Sequence, residues 1–172
     1  MNEFEIRRIL RTHPHTKNEF RGVFAANELP PLILPHGVYI VNLSGRDMLG
    51  SHWVTLYVNR YNIGHYLDSG GRPPFVPSII DALLSLDYIV YNSIALQSED
   101  SVSCGLFAVM FAVFFARGLG IYQIRLFFNR EPHLLALNEH IVAALVSKEL
   151  LTFGAPWSSE LAREIRRWKG PS

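Results

Sequence analysis

Cys104 is the only cysteine of the 172-residue chain. It stands at a junction: "SEDSVS" before it is polar, and "GLFAVMFAVFFA" after it is apolar. An apolar run starting there predicts a buried helix whose first residue is Cys104. Free backbone N–H groups and the positive end of the helix dipole at that position favour a thiolate, the nucleophilic form of cysteine. Gly105, directly behind, would let a substrate backbone approach closely. On this residue alone a second reading stands, that of a small apolar residue opening a core helix. The choice depends on a base.

Seven histidines are available. His13, His15 and His36 lie in polar, proline-broken segments and read as surface residues. His133 and His140 are seven apart and would share one helix face, but nothing else there suggests a metal. His52 differs, because it opens the strand "HWVTLYVN" straight after the loop "GRDMLGS", and strand ends beside loops often carry chemistry. Asp68 ends the next strand-like segment, "GHYLD". If the two strands form an antiparallel hairpin turning near residues 60–62, partner numbers sum to about 120–122. His52 then lies beside Asp68 or one diagonal step away. An aspartate there can hold an imidazole in one tautomer and stabilise its charged form. The stretch Asp68-Ser69-Gly70-Gly71 also reads simply as a turn.

The elements that would position these groups follow from pattern. Residues 3–11 make a short basic amphipathic helix with Phe4, Ile6, Ile9 and Leu10 apolar, and "GVFAANELPPLILPHG", with three prolines, reads as irregular. "GVYIVNLS", "HWVTLYVN" and "HYLD" read as strands, "PPFVPSIIDALLSL" as a helix entered through proline, and "YIVYNSIALQ" as a further strand. The run 104–116 is apolar on every face and predicts a fully packed central helix, stopped by Gly118 and Gly120. "IYQIRLFF", "PHLLALNEHIVAALVSKELL" and "SSELAREIRRWK" are helical by spacing, the last capped by Ser158 or Ser159. Helix, strands, then helices is an α+β order in one domain, residues 1–172.

Bulk properties agree. A chain of this length can bury roughly two-thirds of its unfolded surface in one core. Its 49% hydrophobic and 18% charged residues exclude a disordered chain, and a net charge of +1 gives no general reason to expect a polyanion partner. One cysteine makes no internal disulfide and points to a reducing compartment. "MNEFEIRRILRTHPH" lacks the apolar block of a signal peptide. The apolar run after Cys104 is shorter than the ~20 residues that span a bilayer. A soluble, intracellular, non-secreted protein is the expectation.

Together the residues become specific. His52-Trp53 is followed, sixteen residues after the histidine, by Asp68-Ser69-Gly70, then by Gln97, then by Cys104-Gly105-Leu106-Phe107 seven residues on. This order resembles the adenovirus-type cysteine endopeptidases, adenain and its relatives, within the clan that includes the SUMO-deconjugating proteases. "GVFAANELP" and "IVNLSGRDMLGSHW", with an Asn-x-x-Gly-Arg element at Asn42 to Arg46, extend the likeness upstream. It covers residues 6–117, and the compact length is similar to the version carried by Polinton (Maverick) transposons and related DNA viruses. The resemblance implies a mixed β-sheet packed by the helix that starts at Cys104, followed by a helical part over 121–170.

For the site, the resemblance implies Cys104 as nucleophile and His52 as general base and later acid. It implies Asp68 as the residue orienting His52, and Gln97 as oxyanion donor together with the backbone N–H of Cys104. Trp53 would wall a narrow groove that fits glycine-rich substrate ends, with Gly105 beside it; core packing is the alternative for Trp53. The implied function is thiol endopeptidase cleavage of capsid or core precursors at glycine-containing sites, in a virus or virus-like element, in host nucleus or cytoplasm or packaged in virions. Removal of ubiquitin-like modifiers is one alternative, and a catalytically idle interaction module is another.

Adenovirus enzymes are strongly basic, use DNA as a cofactor, and bind a viral peptide by a disulfide to a second cysteine. This chain is near neutral and has no second cysteine. The expectation is a monomer that requires no cofactor and no disulfide-linked peptide, with protein substrates and no membrane. Two basic clusters (Arg7, Arg8, Arg11, and Arg163, Arg166, Arg167, Lys169) read first as solvated helix faces. Weak DNA binding and DNA stimulation remain the alternative for them. Helices between Ile121 and Trp168 would pack on the core and, in a regulatory reading, replace what the activating peptide supplies.

Overall fold

The computed structural model describes residues 1–48 and 50–153. It has α1 (Glu3–Thr12), β1 (Phe20–Ala25), β2 (Gly37–Asn42), β3 (Trp53–Val58), β4 (Ile63–Leu67) and α2 (Pro77–Leu83). Then come β5 (Tyr88–Tyr91), α3 (Cys104–Ala116), α4 (Ile121–Arg125) and α5 (Leu135–Phe153). The expected helix at "SSELAREIRRWK", its caps Ser158 or Ser159, and the second basic cluster lie outside the described residues.

The five strands form one mixed sheet in sequence order, with β1/β2 and β4/β5 parallel and the two inner pairs antiparallel. Strand alternation sends Val38 and Ile40 to one face, and Tyr39 and Val41 to the other. The first face packs on α3 with Ile6, Ile9 and Leu10 of α1 and Val142, Ala143 and Val146 of α5. The second packs on Ile79, Ala82 and Leu83 of α2 with Leu29 and Ile33. Both faces of β2 are therefore buried, which explains its unbroken β-branched and aromatic content. This is an α+β domain built on a mixed sheet.

Helix α3 fixes the site from below. Every residue from Gly105 through Phe115 is buried, and each large side chain among them contributes about 1.5–3 kcal/mol of burial. Thr55 of β3 donates its hydroxyl to the Ala108 carbonyl, 3.0 Å away, tying helix to sheet. The helix ends at Gly118, whose φ of 82° is left-handed. Gly118 N bonds the Phe115 carbonyl and Leu119 N bonds that of Phe114, the paired closure that favours glycine. At the other end of the fold, Asn2 and Glu5 cap α1 reciprocally.

Several sequence expectations need correction. "GVFA" (22–25), expected to be irregular, is the last four of the six residues of β1. The prolines lie only after it, and Val23 and Ala25 are buried in alternation against β2. "YIVYNSIALQ" is strand only for four residues. Asn92 N still donates to the Tyr66 carbonyl of β4, but the Asn92 side chain then takes the Asp68 N–H and carbonyl, and the N–H groups of Leu96 and Gln97 bond the Ser69 carbonyl in the loop after β4. "IYQIRLFF" is helical only over the five residues of α4. His133 sits in a 3-10 turn ahead of α5, so it and His140 do not share one helix. His13, expected on the surface, is buried against Glu149, with Nε2 and Oε2 3.3 Å apart. Phe4, read with the apolar face of α1, is exposed.

Candidate active site

The β3/β4 register pairs Thr55 with Leu67 and Val58 with Gly64, partner numbers summing to 122. Residue 68 thus lies one diagonal step from the position facing residue 52. His52 is held by its carbonyl, which accepts from Leu43 N at 2.9 Å. Asn42 Oδ1 accepts from both Ser44 N and Ser51 N, pinching the loop that leads into His52. Within the same loop Arg46 bonds Glu28 through two nitrogens and Glu3 through a third, so the Asn42–Arg46 element is a structural brace.

His52 and Asp68 meet, with Nε2 and Oδ1 2.6 Å apart. Asp68 is fully buried. Its Oδ1 also accepts from Gly70 N at 2.7 Å and its Oδ2 from Arg72 Nε at 3.0 Å. Burial pushes this carboxyl up, yet the hydrogen bond and charge of His52, the Gly70 N–H and Arg72 outweigh it and leave the pKa lowered. The carboxylate is anionic and fully engaged.

With Nε2 taken by Asp68, Nδ1 is the ring nitrogen left for the hydrogen bond between His52 and Cys104. Burial disfavours a charged imidazole, but the hydrogen bonds to Asp68 and Cys104, with their negative charge, raise His52 to about 9. Burial likewise raises the Cys104 thiol. The His52 hydrogen bond, the Trp53 backbone N–H, the His52 charge and the chain's N-terminal ammonium outweigh that and lower it. The two shifts agree in direction: both favour thiolate and imidazolium over the neutral pair. Cys104 is partly exposed and is the first residue of α3.

Gln97 is almost buried and lines an 800 Å³ groove with His52, Arg72, Phe75, Glu99 and Ser101. Its Oε1 accepts from the Ser69 hydroxyl at 2.5 Å, and its Nε2 donates to the Ser101 carbonyl at 2.9 Å. One N–H of the carboxamide remains. Trp53 borders a separate, smaller pocket of 180 Å³ with Glu3, Phe24 and Arg46. The indole Nε1 of Trp53 donates to the Met1 carbonyl at 3.2 Å, and its ring packs against the main core. A Cβ on Gly105 would lie 2.8 Å from Met1 Cβ and 3.5 Å from Trp53 Cδ1. The close approach that Gly105 permits here is therefore by Met1 rather than into open groove.

His52 is the common point of the residues expected to do chemistry: it bonds Asp68 and Cys104 and lines the same groove as Gln97. Three supporting residues escaped sequence reasoning. Asn92, fully buried, accepts from Asp68 N and donates to the Asp68 and Ile94 carbonyls. Its one signal is a polar residue closing an apolar strand. Arg72 directly follows the stretch 68–71 that reads as a turn, and nothing in its local pattern ties it to Asp68. Ser69 stood in the quoted motif without a role.

No family model matches this chain. No curated protein matches its sequence either.

Proposed function

We propose that the protein is a thiol endopeptidase of the adenain/SUMO-protease type, acting on protein substrates at small, glycine-containing sites. The observation that carries this reading is the relay Asp68–His52–Cys104, ending on a helix N-terminus. The Cys104 thiolate attacks the scissile carbonyl, and the developing oxyanion takes hydrogen bonds from the remaining Gln97 N–H and the Cys104 backbone N–H. His52, charged before attack, gives its proton to the leaving amine, and Asp68 stabilises the imidazolium until then. A water deprotonated by the neutral His52 then hydrolyses the thioester and restores the pair. Trp53 would line the acyl side of the bound peptide, and the larger groove past Gln97 would take the other side.

By its resemblance, the substrate class we propose is capsid or core precursor of a virus or virus-like element, with deconjugation of ubiquitin-like modifiers as the competing use of the same catalytic set. A short Gly-Gly peptide vinyl sulfone tests the reading. The adduct should form on Cys104, by intact mass and peptide mapping, and should not form in His52→Ala. A modifier-based probe labelling Cys104 much faster than the peptide probe would shift the assignment to a deconjugase. Labelling by neither would overturn the proposal.

A further inference from the structure

Two neighbouring residues of the loop after β4 point to different halves of the site. Asp68 reaches His52, and Ser69 reaches Gln97. Ser69 is 1% exposed and Gln97 6%, so their 2.5 Å bond is shielded from water. The Ser101 carbonyl can only accept, so the end of the carboxamide facing it must be Nε2. The end facing Ser69 is then Oε1, and the hydroxyl donates to it. The carboxamide is clamped at both ends, which fixes its plane and the direction of the remaining N–H. The same residue holds the backbone, since the Ser69 carbonyl accepts from Leu96 N at 2.8 Å and Gln97 N at 3.0 Å. The approach of the two loops is close enough that a Cβ on Gly71, which has a φ of 73°, would run into the backbone of Ile94 and Ala95.

We infer that Ser69 is a positioning residue for catalysis, its hydroxyl aiming the Gln97 N–H at the oxyanion. This rests on the proposed function for the role of Gln97, and on geometry alone for the clamp. The dipeptide Asp68-Ser69 then aligns the acid–base pair and the oxyanion donor from one turn, so the two cannot drift apart.

The test is a double-mutant cycle on cleavage of a Gly-Gly-containing peptide by the full chain. Ser69→Ala should lower kcat about 10-fold, less than the ~10²-fold expected from losing the donor itself, with KM little changed. The pH profile of Cys104 alkylation should stay as in wild type, because it needs His52 and not Gln97. Added to Gln97→Ala, Ser69→Ala should change kcat no further. A wild-type kcat in Ser69→Ala, or the same 10-fold loss repeated in the Gln97→Ala background, would overturn the inference. A readout independent of turnover is the ¹⁵N side-chain amide signal of Gln97, assigned by its disappearance in Gln97→Ala. It should show two distinct, slowly exchanging protons in wild type and move to free-amide values in Ser69→Ala. A free-amide signal already present in wild type would overturn the clamp, whether or not the protein proves to be a protease.

Discussion

Replacing His52 by alanine should convert Cys104 from a reactive thiolate into an ordinary, partly exposed thiol, and alkylation across pH measures the change. In the wild type His52 is raised to about 9, so at pH 6 it carries its proton and hydrogen-bonds a thiol whose pKa is lowered. In His52→Ala the hydrogen bond and the positive charge disappear while the burial that raises the thiol stays. A cysteine at the unperturbed pKa of ~8.5 is only ~0.3% thiolate at pH 6, and burial reduces that further. Thiolates of lower pKa are intrinsically weaker nucleophiles, which trims the contrast. The iodoacetamide rate at pH 6 should therefore fall by about 10–10²-fold in His52→Ala. The ratio should shrink toward one as pH rises past ~9, where His52 discharges and the variant's own thiol ionises. Rates equal within twofold from pH 5 to 9 would mean that no ion pair exists and that Cys104 is a structural residue.

Other perturbations have equally definite outcomes. Asn92→Ala leaves the Asp68 N–H and carbonyl without their buried partner and should lower stability by about 2–4 kcal/mol in chemical denaturation, with loss of cleavage in the same variant. Phe111→Ala opens a cavity where Phe111 meets Phe107 and Phe128, and should cost about 3–5 kcal/mol without moving the Cys104 alkylation profile of the folded fraction. Gly71→Ala places a side chain at a left-handed φ and against the Ile94–Ala95 backbone; soluble yield and melting temperature should both drop sharply. Arg72→Gln removes one of three groups on the Asp68 carboxylate, and its exposed position predicts a modest, few-fold fall in kcat that high salt mimics in the wild type.

What the sequence made legible was the part governed by period and register. The even apolar content of 104–116 sets a helix buried all round, and its start at Cys104 follows from the polar residues before it. The meeting of His52 with Asp68 needed only a turn near residues 60–62, since a sum of 122 leaves the two one diagonal apart. What pattern could not reach depends on single side chains bonding backbone far away in sequence. β5 closes at Asn92 because its side chain takes the Asp68 N–H and carbonyl, 24 residues away, in place of further backbone pairing. His13 is buried because α5 brings Glu149 to it across 136 residues, a pairing without local trace. The strand at Val23 and Ala25 was masked by prolines that act only after it. Ser69 lies in a stretch whose composition reads as a turn and Arg72 directly follows it, and only the structure shows which atoms they hold.

The central claim is that Cys104 is a nucleophile that breaks peptide bonds, and turnover by the purified protein tests it most directly. Wild type and Cys104→Ala would be incubated in millimolar reductant with a Gly-Gly-containing peptide, without added peptide cofactor or DNA, and the products separated by mass. The account predicts cleavage by the wild type and none above background by Cys104→Ala, with both proteins equally folded by circular dichroism. Cleavage that survives in Cys104→Ala would contradict it.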